Sequence, residues 1–108
     1  MVKININTKE GINSVTTNKL KGELKAIILS QESIKLSKVR VLIESEYNYI
    51  LLDYLDLINP IYIPLCKRMI NTNAHEVNEW VNYYLDEKLK ITVFGGKNQE
   101  IQIILKII

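Results

Sequence analysis

The stretch Lys88–Ile108, KLKITVFGGKNQEIQIILKII, decides how the rest of the chain is read. Leu89, Ile91 and Val93 alternate with Lys90 and Thr92; further on, Ile101, Ile103, Leu105 and Ile107 alternate with Glu100, Gln102 and Lys106. Period-two alternation puts one set of side chains on a buried face and the other toward solvent, the pattern of half-buried strands. Between the runs lie Gly95, Gly96, Lys97 and Asn98. A phosphate-binding loop needs a following helix whose free N–H groups face the anion, and a longer glycine spacing. Here a strand follows, so Gly95 and Gly96 read as turn residues with positive φ. The expectation is a closing hairpin with a loop of about five residues.

Working outward, Val2, Ile4 and Ile6 alternate with Lys3, Asn5 and Asn7, which predicts a short strand at a sheet edge. Residues 8–18 are polar and read as a loop. Leu20, Gly22, Leu24, Ala26 and Ile28 predict a second strand, turned by Ser30–Ser33. Ile34 and Leu36 share one parity and Val39, Val41 and Ile43 the other, so a bulge or break is expected near Ser37 and Lys38. Glu44–Asn48 reads as a turn, followed by a strand through Tyr49, Leu51 and Asp53 and a connection over 54–59. Pro60 and Pro64 bracket a short edge strand at Ile61–Ile63, and 67–76 reads as a loop.

Two segments also carry helical spacing. Apolar positions 47, 50, 51, 54, 55 and 58 follow one helical face, and so do 77, 80, 81, 84 and 85, the latter behind a capping-box pattern of Asn73 and Glu76. Val77, Trp80, Val81, Tyr83 and Tyr84 are better strand formers. The residues alone leave two architectures: an all-β antiparallel sandwich of about 7–8 strands, or an α+β fold with helices near 46–58 and 74–85.

The 108 residues form one domain, 47% hydrophobic and 24% charged, which excludes disorder. A net charge of +2 is too mild for a dedicated nucleic-acid domain, which shows a concentrated basic stripe. The nearest thing is Lys19, Lys21 and Lys25, with Glu23 among them. No apolar run reaches the roughly 18 residues of a membrane span, and the opening MVKININTKE lacks a signal core. The 18 Ile, 12 Lys and 11 Asn against 2 Ala point to an A/T-rich genome.

Catalytic chemistry finds no constellation. His75 is the only histidine and reads as a solvated loop residue. Cys66, the only cysteine, excludes an internal disulfide and a cysteine-based zinc site; it reads as structural despite Lys67 and Arg68 beside it. Asp86–Glu87 reads as a turn, and Asp53 and Asp56 as solvated acids of a connection. Neither a catalytic residue nor a cofactor or metal site is expected. Tyr47, Tyr49, Tyr62, Trp80 and Tyr84 read as packing or protein-interface residues, because few basic residues interleave them as a base-stacking surface would require.

The order of segments carries one resemblance. KLKGELKAIILS, IKLSKVRVLIESEYNYILLD, IYIPL and WVNYYLDEKLKITVFGGKNQEIQIILKI succeed one another over residues 19–108. This succession resembles small structural proteins encoded among the virion genes of tailed bacteriophages. The matching residues are Leu20, Gly22 and Leu24; Tyr62, Pro64 and Leu65; Tyr84, Leu85 and Asp86; and Gly95 and Asn98. In place of the Pro-Leu-Arg frequent in such proteins stands Pro64-Leu65-Cys66. The resemblance implies a β-sandwich rather than an enzyme, with strands at 47–53 and 77–84. It implies a decoration, auxiliary or head–tail junction protein, assembled in the bacterial cytoplasm. Its partners would be capsid, portal or neck proteins, or further copies of itself. The alternative is a nucleic-acid-binding accessory protein using Lys19, Lys21, Lys25, Lys35, Lys38 and Arg40.

Overall fold

Alternation along most of the chain becomes strand after strand. The computed structural model describes residues 1–9, 11–32, 38–64, 67–70, 76–81 and 83–108. Among them are eleven strands: β1 (Val2–Asn7), β2 (Ile12–Thr16), β3 (Leu20–Glu32), β4 (Val39–Ser45), β5 (Ile50–Leu57), β6 (Ile61–Pro64), β7 (Lys67–Ile70), β8 (Glu76–Val81), β9 (Tyr83–Glu87), β10 (Leu89–Phe94) and β11 (Glu100–Ile107). One sheet runs β1-β11-β3-β6, with β9 on the same side of β3 as an end-to-end neighbour of β6; the other runs β2-β10-β4-β5. Every pairing is antiparallel, and β7 pairs β8 as a separate ribbon. The fold is therefore all-β, two sheets packed into a sandwich.

The expected closing hairpin is not formed. β10 lies between β2 and β4 in one sheet, while β11 lies between β1 and β3 in the other. Gly95–Gln99 carries the chain across from sheet to sheet. An arch and a hairpin share one signature, because both join two alternating runs through a tight turn. Only the partners differ, and those come from elsewhere in the chain.

The inner faces of the four central strands, β11 and β3 in one sheet and β10 and β4 in the other, make the core. Ile4–Ile103–Leu29–Ile61 and Val2–Leu105–Ile27–Ile63 cross the first sheet as register-matched rows. Val15–Ile91–Ile43–Leu52 and Asn13–Val93–Val41–Tyr54 cross the second. Leu89, Ile91, Val93, Ile101, Ile103 and Leu105 are fully buried in one cluster with Leu24, Ile27, Leu29, Ile43 and Leu85. Each such side chain contributes about 1.5–3 kcal/mol by leaving water.

Several expectations change. Residues 46–58 and 74–85 are not helical where described: the first is a turn and β5, the second β8 and β9. The helical spacing at 47, 50, 51, 54, 55 and 58 is not a buried face: Tyr47, Ile50 and Leu55 are exposed, while register shifts opposite Val39/Val41 and Ile43/Glu44 leave Leu52, Tyr54 and Leu57 inward at uneven intervals. β2 occupies part of the expected loop over 8–18, β3 runs through Ser30 to Glu32, β5 continues to Leu57, and β7 starts at Lys67. β3 also switches inward parity, from Leu24 to Ile27, because Lys25 is an extra residue opposite the Lys106/Ile107 step. Ile34, Leu36 and Ser37, with the break expected there, lie outside the described residues, as do Leu65, Cys66, Asn73 and His75.

Gly22 shows why one glycine of the L-x-G-x-L segment is needed. Its φ is 134°, and a Cβ there would lie 2.7 Å from Ile107 Cγ2 and 2.8 Å from the Ile108 carbonyl oxygen. The adjacent Glu23 exchanges both backbone hydrogen bonds with Ile108, at 2.9 and 3.0 Å.

Candidate functional site

The two ends of the sandwich are built differently. At one end the β10–β11 arch meets the β1–β2 turn. Gly95 and Gly96 have φ of 87° and 80°, and Asn98 has 53°, so the arch holds three left-handed residues. Gly95 N–H donates to the Gly11 carbonyl at 2.9 Å, and Lys97 N–H donates to Gln99 Oε1 at 3.0 Å. With Asn98 N–H donating to the Thr8 carbonyl at 3.0 Å, these three amides are engaged within the protein and do not face an anion.

Behind this arch lies a buried neutral network that the sequence did not announce. Thr8 N–H donates to the Gln99 carbonyl at 2.8 Å, and Gln99 N–H returns a bond to Thr8 Oγ1 at 3.0 Å. Gln99 Nε2 donates to Gln31 Oε1, and Gln31 Nε2 donates to the Leu57 carbonyl at 2.8 Å. The chain of bonds runs from Thr8, just after β1, through Gln99 to Gln31 of β3 and Leu57 of β5, and so joins both sheets. No spacing rule marks a glutamine as a core residue, so only the fold reveals it.

At the other end, Glu46–Tyr49 turns between β4 and β5. Asn48, with φ of 66°, donates its N–H to the Ser45 carbonyl at 3.1 Å, and Ser45 N–H donates to the Tyr49 carbonyl at 2.7 Å. Ser45 Oγ accepts the Tyr47 N–H at 3.1 Å and donates its own proton to Glu87 Oε2. Glu46 N–H donates to the Lys88 carbonyl, and Lys88 N–H to Glu46 Oε1, both at 3.1 Å. These bonds stitch the turn to the β9–β10 connection. What it displays is apolar: Tyr47, Tyr49 and Ile50 are 61%, 64% and 65% exposed.

Tyr83 lies partly buried at this end. Burial pushes its phenol above the usual value of 10.0, and the nearby charges of Glu87 and Tyr49 push the same way. Beside the turn, a depression of about 430 Å³ is lined by Glu44, Glu46, Asn48, Lys88 and Lys90 among others. Its two acids and two lysines balance, so it selects neither an anion nor a cation.

The remaining aromatic candidates fall elsewhere. Tyr62, opposite Ile28, and Tyr84, opposite Glu23, are exposed on the outer face of the five-stranded sheet. Tyr47 and Tyr49 instead sit on the turn that joins β4 and β5 of the other sheet. The Trp80 side chain lies outside the described residues, although β8 contains its backbone.

The described basic residues do not all share one face. Lys21 is on β3 and Arg40 on β4, in different sheets. Lys19 pairs Asp86 at 3.3 Å and Lys25 pairs Glu23 at 3.0 Å. Arg40 Nε and Nη2 donate to Asp53 Oδ1 and Oδ2 at 2.7 and 2.8 Å, and its guanidinium lies 4.7 Å from the Phe94 ring centroid. Hydrogen bonding to Arg40 holds the Asp53 carboxyl below the usual carboxylate value and raises Arg40 in turn. Lys35 lies outside the described residues. Among the described residues, no three His, Cys, Asp or Glu side chains converge to hold a metal ion.

No protein-family model matches the chain, and no curated protein matches it.

Proposed function

We propose that the chain is a structural component of a tailed-phage virion, either a capsid-associated decoration or auxiliary protein or a head–tail junction protein. It works through protein–protein contacts and carries no chemistry of its own. The observation that carries the contact role is the tyrosine turn. Three large side chains stand in water on a turn held by hydrogen bonds at both ends, so a partner would bury them with little ordering cost. The placing in a virion rests on the succession of segments over residues 19–108. Edge strands support the same reading, since a neighbour's strand can complete them.

Mass spectrometry of purified particles of the phage whose genome carries the chain tests the reading. The expected result is a constant copy number per particle; absence from washed particles overturns it. A Tyr47→Ser/Tyr49→Ser variant, both sites exposed, is expected to fold normally and to be depleted from particles at least tenfold. Undiminished incorporation would remove the turn from the contact surface.

A further inference from the structure

The outer strands of the two sheets differ in how open they are to another strand. β5 carries two register shifts and the acids Asp53 and Asp56. β6 is four residues long, follows Pro60 and ends on Pro64. β1 carries Lys3, and an edge lysine discourages pairing. β2, INSVT, has no charge, proline, glycine or bulge, and three of its five residues are β-branched.

The hydrogen bonding at both ends of β2 shows which backbone groups are on its outer edge. Gly11 accepts a bond from Gly95 N–H at 2.9 Å, and Thr17 N–H donates to the Leu89 carbonyl at 2.8 Å. The register from Ile12 to Thr16 is unbroken between them. Alternate residues 11, 13, 15 and 17 therefore turn their backbone toward β10, and the N–H and C=O groups of Ile12, Ser14 and Thr16 point outward. Among the described residues no strand pairs with that edge. A second observation lies at the same place: Ile12 is 66% and Val15 is 37% exposed.

We propose that β2 pairs antiparallel with β2 of a second copy about a twofold axis through Ser14, joining the two four-stranded sheets into one of eight strands. The register follows from the strand itself. A twofold axis at Ser14 pairs all five residues, setting Ile12 opposite Thr16 and Asn13 opposite Val15 of the other copy. The outward-facing groups of Ile12, Ser14 and Thr16 then meet their counterparts as hydrogen-bonded pairs. An axis at Asn13 or Val15 shortens the pairing to three residues. Uncharged throughout, the strand opposes no like charges, and the small Ser14 meets itself without a clash. Asn13 already folds back onto the turn, its Nδ2 donating to the Lys9 carbonyl at 3.1 Å, and leaves Val15 room. Five paired residues on each strand make a small interface beside the roughly 1,600 Å² of a standard complex, so association depends on concentration. The pairing belongs to the chain on its own and holds whether or not the chain enters a particle.

Sedimentation equilibrium of the full chain from about 10 μM to about 1 mM is expected to show a monomer passing into a dimer. Ser14→Lys and Ser14→Glu, each alone, place like charges face to face at the axis and are expected to stay monomeric with the wild-type circular dichroism. Mixed in equal amounts they place opposite charges face to face, and the dimer returns. A wild-type chain that stays monomeric at about 1 mM overturns the proposal. So does a Ser14→Lys chain that dimerises like wild type, or a mixture that fails to restore association. Amide hydrogen exchange on the wild type needs no variant. The Ile12, Ser14 and Thr16 amides are expected to exchange more slowly at high concentration, and unchanged rates would overturn the pairing.

Discussion

The arch end and the tyrosine end are both closed by hydrogen bonds, but they do opposite things with their side chains. At the arch, Thr8, Gln31 and Gln99 are buried and uncharged, and the glycines have no side chain to show. At the tyrosine turn the hydrogen bonds run through Ser45, Glu46 and Glu87, and the side chains they position stand in water. The difference teaches where function can sit in a small sandwich. An end that turns its polar groups inward closes the core; an end that fixes its backbone and turns tyrosines outward presents a surface. Substitutions at the first should therefore read out in stability, and substitutions at the second in binding.

The largest expected effect is Gly96→Val. A Cβ at Gly96 would lie 2.8 Å from Gln99 Oε1 and 3.1 Å from both Thr8 Oγ1 and Val39 Cγ1, on a backbone with φ of 80°. Left-handed strain and overpacking together should cost about 2–5 kcal/mol, read by urea unfolding. A loss under 1 kcal/mol would mean that the arch end is looser than its contacts imply. Gly95→Ala separates the two causes. Its Cβ meets only the Lys38 carbonyl, at 3.7 Å, so backbone strain alone remains and about 1 kcal/mol is expected.

Next come the hydrogen-bonded side chains. Gln99→Leu removes the amide that donates to Gln31 and the oxygen that accepts Lys97 N–H, which should cost about 1–3 kcal/mol. Ser45→Ala removes the donor to Glu87 Oε2 and the acceptor of Tyr47 N–H, with a cost of about 1–3 kcal/mol as well. The two should diverge in a second readout. Ser45→Ala frees the tyrosine turn, which amide exchange at Tyr47 reports, while Gln99→Leu leaves that amide as protected as in wild type. Equal acceleration in both variants would merge the two ends into one cooperative unit.

Fold class was legible because the evidence for it is local. Alternation at Val2–Ile6, Leu89–Val93 and Ile101–Ile107 names strands whatever their partners, and the prolines around Ile61–Ile63 name an edge. Partner choice was not legible, because it is decided by residues far away in sequence. Lys88–Ile108 fits a hairpin and an arch equally well, and only β2 and β4 on one side and β1 and β3 on the other settle which forms. Bulges hid more. Two in β5 give an uneven inward face of Leu52, Tyr54 and Leu57 that no single period describes, and the extra residue at Lys25 reversed the inward parity of β3. Of the interface candidates, Tyr47, Tyr49, Tyr62 and Tyr84 are exposed, but they divide between the β4–β5 turn and the outer face of the other sheet. Gln31, Gln99 and Ile12 were missed: two polar residues lie in the core and one apolar residue in water, against the hydrophobicity rule that sequence reading relies on.

The smallest effect separates the ends by pH. The phenol of Tyr83 titrates above 10.0 at the tyrosine end, first because of burial and then because of Glu87 and Tyr49. A folded-state pKa above the unfolded value means that the unfolded chain releases its proton first as pH rises. The contribution of Tyr83 is thus complete below about pH 10 and is lost as pH climbs from there through the folded value. Urea midpoints taken at steps from pH 8 upward should fall more steeply for wild type than for Tyr83→Phe once pH passes about 10. Thr8, Gln31 and Gln99 at the arch carry no group that titrates in this range. Gln99→Leu should therefore keep the wild-type slope while starting from a lower stability. Parallel curves for wild type and Tyr83→Phe would show that the phenol is as well solvated folded as unfolded, and that the tyrosine end is more open than its hydrogen bonds make it.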